Sequence, residues 1–233
     1  MSKLIRVGHK GADAIVAGNT LASFDAAAAA GVDMIEFDVL AERPDGSGEL
    51  LVIHDHGALR GAGSAPTLSQ ALTHLAGGQF ASISLQLDVK RPGYERRLVA
   101  VLAAAGLVGR SFISTGFWSS LELIRSIEPA LRLGWTVPDP LGLSSTPGIA
   151  QTFGHVQRSR LAALAAARIR AGAIEALVPQ WRLVTPALVR AVTEAGGEIY
   201  AWTVDDLAAI RHLAAIGTTG VITNDPRLFA LVS

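Results

Sequence analysis

Residues 34–40 read Met34-Ile35-Glu36-Phe37-Asp38-Val39-Leu40, an apolar run with acids at alternate positions. In an extended strand Glu36 and Asp38 share one face and Phe37 takes the other. An exposed edge strand with solvated acids is the plain alternative, but Met34, Ile35, Val39 and Leu40 make the strand apolar elsewhere. Further short β-rich runs are expected at Leu4–Gly8, Leu50–His54, Ile83–Val89, Phe112–Ser114, Arg132–Thr136, Ala176–Val178, Ile199–Thr203 and Gly220–Thr223. Between them apolar residues recur with helical spacing, as at Tyr94, Leu98, Val101, Leu102 and Ala105, or Phe117, Leu121 and Ile124. Thr67 with Gln70 reads as a capping box, and Thr185-Pro186 and Asp225-Pro226 as helix starts. Gly31, Gly106, Gly196 and Gly217 read as stops.

Repeated βα units over 233 residues predict a TIM (β/α)8 barrel, an α/β fold, with an open doubly wound sheet as the alternative. No GxGxxG follows the first strand and there is no P-loop, which counts against a nucleotide-binding open sheet. The run Leu50–His54 breaks strict alternation and reads as a short insertion after the second barrel strand, on the catalytic face. The irregular segment Pro138–Thr152 reads as a loop on that face. No linker or compositional break divides the chain, so residues 1–233 are expected to form a single domain.

Composition narrows the function. Twenty basic residues balance twenty acidic ones, which argues against nucleic acid as a partner. With no cysteine there is no disulfide framework, thiolate metal site or cysteine nucleophile. The first residues lack the apolar core of a signal peptide, and the apolar stretch around Leu161–Val178 is broken by Arg168, Arg170 and Glu175, so no transmembrane segment and a cytoplasmic location are expected. A mean hydropathy of +0.38 fits a sheet buried on both faces.

Three pairs could carry chemistry. His9 and His54 each follow an apolar run, so each should emerge at a strand's C-terminal end, and paired imidazoles suit general acid and base roles. A hydrogen-bonded structural histidine is the bland reading of either one alone. Glu36 and Asp38, if inward, would repel each other and resist burial unless a cation or a lysine neutralises them. Asp88 and Lys90 share a face two residues apart, so Asp88 could add a third oxygen to the same cation and Lys90 could face an anionic group. A simple ion pair at a strand end is the alternative. Three carboxylates without thiolate specify a hard cation, Mg²⁺ or Ca²⁺. Together these point to metal-assisted phosphoester cleavage. A minor rival is zinc at His54-Asp55-His56, which wants further histidines at later strand ends, whereas His155 and His212 fall in helical or loop stretches.

The ordered series His9-Lys10-Gly11, Gly18-Asn19-Thr20, Ser23-Phe24, Gly31-Val32-Asp33-Met34-Ile35-Glu36-Phe37-Asp38-Val39, His54-Asp55, Asp88-Val89-Lys90, Trp202-Thr203-Val204 and Thr223-Asn224-Asp225-Pro226 resembles the glycerophosphodiester phosphodiesterase family. The resemblance runs from Val7 to Pro226 and implies a TIM barrel that hydrolyses a small-molecule glycerophosphodiester to an alcohol and glycerol 3-phosphate with one divalent cation. It further implies His9 and His54 as the acid/base pair, Glu36, Asp38 and Asp88 as metal ligands, and Lys10, Lys90 and Trp202 as substrate-binding residues. Three positions depart from the family pattern: Lys10 stands for Arg, Gly18 for Glu and Asp88 for Glu. Lys10 lacks the planar fork that grips phosphate at two points. Two rival readings accompany the first: a lysophospholipase D-like relative, in which an internal hydroxyl attacks phosphorus and a cyclic phosphate leaves, and a weakly active barrel that binds glycerophosphodiesters.

Overall fold

The computed structural model describes residues 3–57, 65–138 and 149–232, with the backbone alone given for 149–159. The acid-bearing strand is β2 (Met34–Ala41), buried along its whole length. It pairs in parallel with β1 (Ile5–Gly8) on one side and β4 (Ser84–Val89) on the other. Parallel pairing continues through β5 (Ser111–Thr115), β6 (Arg132–Val137), β7 (Ala176–Pro179), β8 (Glu198–Ala201) and β9 (Gly220–Thr223). The pairing of β9 with β1 then closes the ring. These eight parallel strands form a TIM barrel. The remaining strand, β3 (Leu50–Leu51), runs antiparallel to the end of β2, with Leu40 opposite Leu51 and Ala41 opposite Leu50. It is a hairpin extension above the barrel, shorter than the expected Leu50–His54.

Helices α1 (Leu21–Ala29), α2 (Leu68–Leu75), α3 (Glu95–Ala104), α4 (Trp118–Ile127), α5 (Ile149–Arg170), α6 (Pro186–Glu194) and α7 (Leu207–Ala215) lie between strands in sequence. Their starts follow local chemistry: Thr20 and Thr67 close capping boxes with Ser23 and Gln70, and Thr185 and Asp206 accept from backbone amides of α6 and α7. Asp225-Pro226 differs from expectation, because it opens the 3₁₀ turn Pro226–Leu231 and not an α-helix. The stretch read as a loop over Pro138–Thr152 is already helical at Ile149, and its residues 139–148 lie outside the described ones.

Strand alternation sorts the side chains into two cores. Outward residues such as Ile35, Phe37, Val39, Leu85 and Leu87 pack beneath the helices. Inward residues Val7, Met34, Phe112, Ala176, Val178, Tyr200 and Ile222 fill the barrel. At its base the Tyr200 hydroxyl donates to Glu198, which also pairs with Arg132. The barrel interior is therefore plugged below, and Glu36, Asp38 and Asp88 lie toward the opposite, C-terminal end of the strands. Among the described residues no helix is long and apolar enough to cross a membrane.

Candidate active site

Alternation carries Glu36 and Asp38 from β2 and Gln86 and Asp88 from β4 to the barrel mouth, all buried. Asp38 and Asp88 face each other in register, and Lys90 follows two residues later. The Lys90 ammonium lies 2.6 Å from Asp38 Oδ1 and 2.6 Å from Asp88 Oδ2. The first is a close ion-pair contact, not an aligned hydrogen bond. Asp38 Oδ2 accepts from Asn19 Nδ2 at 2.8 Å, and the Asp38 amide donates to Asn19 Oδ1 at 3.1 Å. Asp88 Oδ1 accepts from Ser114 Oγ at 2.6 Å and from Thr136 Oγ1 at 3.0 Å. Ser114 Oγ in turn accepts from Gln86 Nε2 at 3.0 Å, while Gln86 Oε1 is buried without a hydrogen-bond donor among the described residues.

Glu36 is less well compensated. Its Oε2 accepts the Lys10 amide at 2.9 Å and lies 3.9 Å from His9 Nε2. Burial, and then repulsion from Asp38, push its carboxyl well above the ordinary range, against the pull of Lys90. Burial also works against the Asp38 carboxylate, but attraction to Lys90 and the hydrogen bond from Asn19 hold it below the ordinary value. Burial opposes the Lys90 ammonium as well, yet Asp88, Asp38 and Glu36 raise its pKa. Three ionised carboxyl groups against this ammonium would leave the cluster with a formal excess of negative charge.

The loop after β1 folds over the acids. Lys10 and Asn19 take left-handed backbone angles, φ 50° and 58°, a conformation that costs energy in residues other than glycine and clusters at functional sites. Ser23 Oγ holds the Lys10 carbonyl at 2.7 Å. Gly18 sits against Lys10 and Asp13, where a Cβ would come within 2.7 Å of Lys10 Cβ and 2.6 Å of Asp13 Oδ1. That crowding accounts for glycine at this departure from the family pattern.

A cavity of about 140 Å³ opens above the acids, bounded by His9, Glu36, His54, Asp88, Lys90 and Trp202 among others. Gln86, Thr136 and Thr203 also border it. The Trp202 indole N–H donates to the Val178 carbonyl at 2.8 Å, which fixes the ring as a wall. His9 is 18% exposed, and its Nδ1 lies 2.6 Å from Asn224 Oδ1. Burial pushes His9 below its ordinary pKa, partly offset by that hydrogen bond. His54 is 52% exposed, with Nδ1 3.1 Å from Asp55 Oδ2. A second cavity of about 400 Å³ lies on its far side, bordered by Leu40, His56 and Arg91. His54 and Lys90 therefore stand between two spaces.

The structure thus gathers His9, His54, Glu36, Asp88, Lys90 and Trp202 at one cavity, with Asp38 directly beneath through Lys90. Lys10 is not among the bounding residues and contributes its backbone amide to Glu36. His56 Nε2 lies 3.0 Å from the Ala41 carbonyl oxygen. Asn19, Gln86, Ser114, Thr136 and Asn224 were missed as site residues by sequence reasoning. Gln86 was within reach, since it precedes Asp88 by two in a buried strand. Among the described residues, no three His, Asp or Glu side chains are already gathered tightly enough to hold a metal ion. A cation held by all three acids would compete with Lys90 for Asp38 Oδ1 and Asp88 Oδ2.

The family model of the Glycerophosphoryl diester phosphodiesterase family matches residues 9–76 and 109–228. The strand with Asp88 and Lys90 falls between the two matched stretches. A glycerophosphodiester phosphodiesterase of Caldanaerobacter subterraneus subsp. tengcongensis is 25% identical over 256 residues, covering 96% of this chain and 95% of the relative. The crystal structure of a glycerophosphodiester phosphodiesterase from Agrobacterium tumefaciens shares the fold with a TM-score of 0.69 at 21% identity, covering 99% of this chain and 100% of that one. An Oleispira antarctica phosphodiesterase, solved in complex with the product sn-glycerol-3-phosphate, superposes with a TM-score of 0.72 at 18% identity, covering 97% and 95%.

Proposed function

Since the chain belongs to the glycerophosphoryl diester phosphodiesterase family, we propose that it hydrolyses glycerophosphodiesters to an alcohol and glycerol 3-phosphate. The observation that carries this reading is the acid cluster around Lys90 beneath a cavity flanked by two histidines. The product named in the Oleispira antarctica complex supports glycerol 3-phosphate as the phosphate-bearing product here.

Glu36, Asp38 and Asp88 would hold one divalent cation, Mg²⁺ or Ca²⁺. The fit rests on the donor set, all hard carboxylate oxygens, and on Glu36, a buried acid whose charge is left largely uncompensated. When bound, such a cation neutralises the acids and polarises a phosphoryl oxygen. Lys90 adds positive charge at the cavity floor. Gln86 Oε1, an acceptor without a donor among the described residues, suits a hydroxyl of the glycerol unit.

The histidines divide the proton work by their surroundings. Largely buried His9, biased toward the neutral ring, takes a proton from water on Nε2 as the water oxygen bonds to phosphorus. The bond from phosphorus to the alcohol oxygen breaks, and His54, as the acid of the pair, delivers a proton to that oxygen. His54 borders both cavities, so the departing alcohol extends toward the larger one. Turnover of glycerophosphocholine by enzyme treated with a chelator, then resupplied with Mg²⁺ or Ca²⁺, tests the proposal. Activity should vanish and return. Full activity in excess chelator would overturn the metal part, and no turnover under any condition would overturn the whole.

A further inference from the structure

One motif singled out in the sequence has no place in the reaction so far: Thr223-Asn224, at the C-terminal end of β9. Barrel closure sets β9 beside β1, with Thr223 opposite Gly8, so Asn224 stands next to His9 although 215 residues separate them. The Asn224 side chain bridges two groups. Its Nδ2 donates to Asp205 Oδ2 at 2.7 Å, and its Oδ1 lies 2.6 Å from His9 Nδ1. Asp205 is itself held, accepting on Oδ1 from the Asn224 amide at 2.8 Å and from Thr223 Oγ1 at 2.9 Å.

These contacts fix the direction of every hydrogen bond. A carboxylate can only accept, so the amide NH₂ of Asn224 must face Asp205 and its carbonyl oxygen must face His9. A carbonyl oxygen likewise only accepts, so His9 Nδ1 must carry the proton. The lone pair of the neutral ring is then on Nε2, the nitrogen turned toward Glu36 and the cavity. Neutral imidazole in water prefers the opposite tautomer, with the proton on Nε2, where it could accept nothing from substrate water. When Nε2 gains a proton, Nδ1 remains a donor and Asn224 need not move.

We infer that Asn224 and Asp205 are positioning residues that hold His9 in its Nδ1–H tautomer, through a chain from Asp205 to Asn224 to His9. The inference rests on His9 as the base of the proposed hydrolysis, and it adds why that base is competent.

Two readouts test it on the full chain. In ¹⁵N-labelled histidine spectra of the parent, His9 should show the Nδ1–H tautomer. Asn224→Leu should lose that signature and lower kcat at least about tenfold, toward the ~10²–10⁴ that a placed base contributes, with KM near the parent's. Asp205→Asn frees the amide to turn and should also mix the tautomers. The exchanged pair Asn224→Asp with Asp205→Asn keeps an acceptor on His9 and a donor behind it, so it should restore both tautomer and kcat. A parent ring protonated on Nε2, or Asn224→Leu with unchanged tautomer and kcat, would overturn the inference. The tautomer spectrum needs no turnover, so its failure is distinct from failure of the proposed reaction.

Discussion

The ammonium of Lys90 stands 2.6 Å from the Asp38 carboxylate, and the same nitrogen reaches Asp88 on the neighbouring strand at 2.6 Å. One internal cation thus spans two of the three acids proposed to hold a metal. Lys90→Met removes that counter-charge while keeping much of the side chain's bulk. Breaking a largely buried pair of this kind costs on the order of 3 kcal/mol, so chelator-treated Lys90→Met should unfold at lower denaturant than the parent. Because Asp38 Oδ1 and Asp88 Oδ2 lose their competitor, calorimetry should show tighter Ca²⁺ binding while turnover falls. Weaker Ca²⁺ binding would mean that Lys90 does not compete with the cation.

Asp88 is the finer test of the ligand set. Asp88→Asn keeps the shape but removes the charge, so cation affinity and activity should fall together, whereas Asp88→Glu should retain substantial activity. Paired calorimetry and turnover measurements decide it. If Asp88→Asn binds the cation and turns over like the parent, the acid serves only Lys90, Ser114 and Thr136.

The histidines should separate by position. His9→Ala and His54→Ala should each lose roughly 10²–10⁴ in kcat with the fold intact by circular dichroism. His56, set against the Ala41 carbonyl, should lose far less on replacement by alanine. Equal losses at His54 and His56, together with bound zinc, would favour the zinc alternative.

A structural acid gives a prediction of opposite character. Arg6 grips Asp33 with Nε at 2.7 Å and a terminal nitrogen at 2.8 Å, tying β1 to the start of β2. Burial alone would raise the Asp33 pKa, but the side-chain and backbone hydrogen bonds from Arg6 bring it to about 2. The folded value lies below the unfolded ~3.9, so the stabilisation is complete above about pH 4 and is lost as pH falls through about 2. Asp33→Asn should therefore cost on the order of 1 kcal/mol at pH 7, allowing for solvent screening of this partly exposed pair. Urea melts should show the difference from the parent closing between about pH 4 and pH 2. A gap unchanged at pH 2 would assign the loss to shape and not to charge.

Much of this was legible in the chain because it depends on local alternation. The pattern of Met34 to Leu40 already turns Glu36 and Asp38 inward, and the same rule carries Asp88 and Lys90 to one face. The fold followed from where strands and caps recur: Thr67 and Thr185 cap helices as their side chains allow. What was not legible depends on which strands become neighbours. Asn224 meets His9 only because β9 returns beside β1, and Thr136 reaches Asp88 from a strand two places away. The double engagement of Lys90 was hidden for the same reason, since Asp38 and Asp88 come into register only through strand pairing.

Hydrolysis of a glycerophosphodiester at the Glu36–Asp38–Asp88 mouth is read by phosphorus NMR of glycerophosphocholine turnover in ¹⁸O-enriched water with Mg²⁺ or Ca²⁺. A single phosphorus-bearing product is expected, glycerol 3-phosphate, with one ¹⁸O on phosphorus. A cyclic phosphate without ¹⁸O, or no change in the substrate signal, would contradict it.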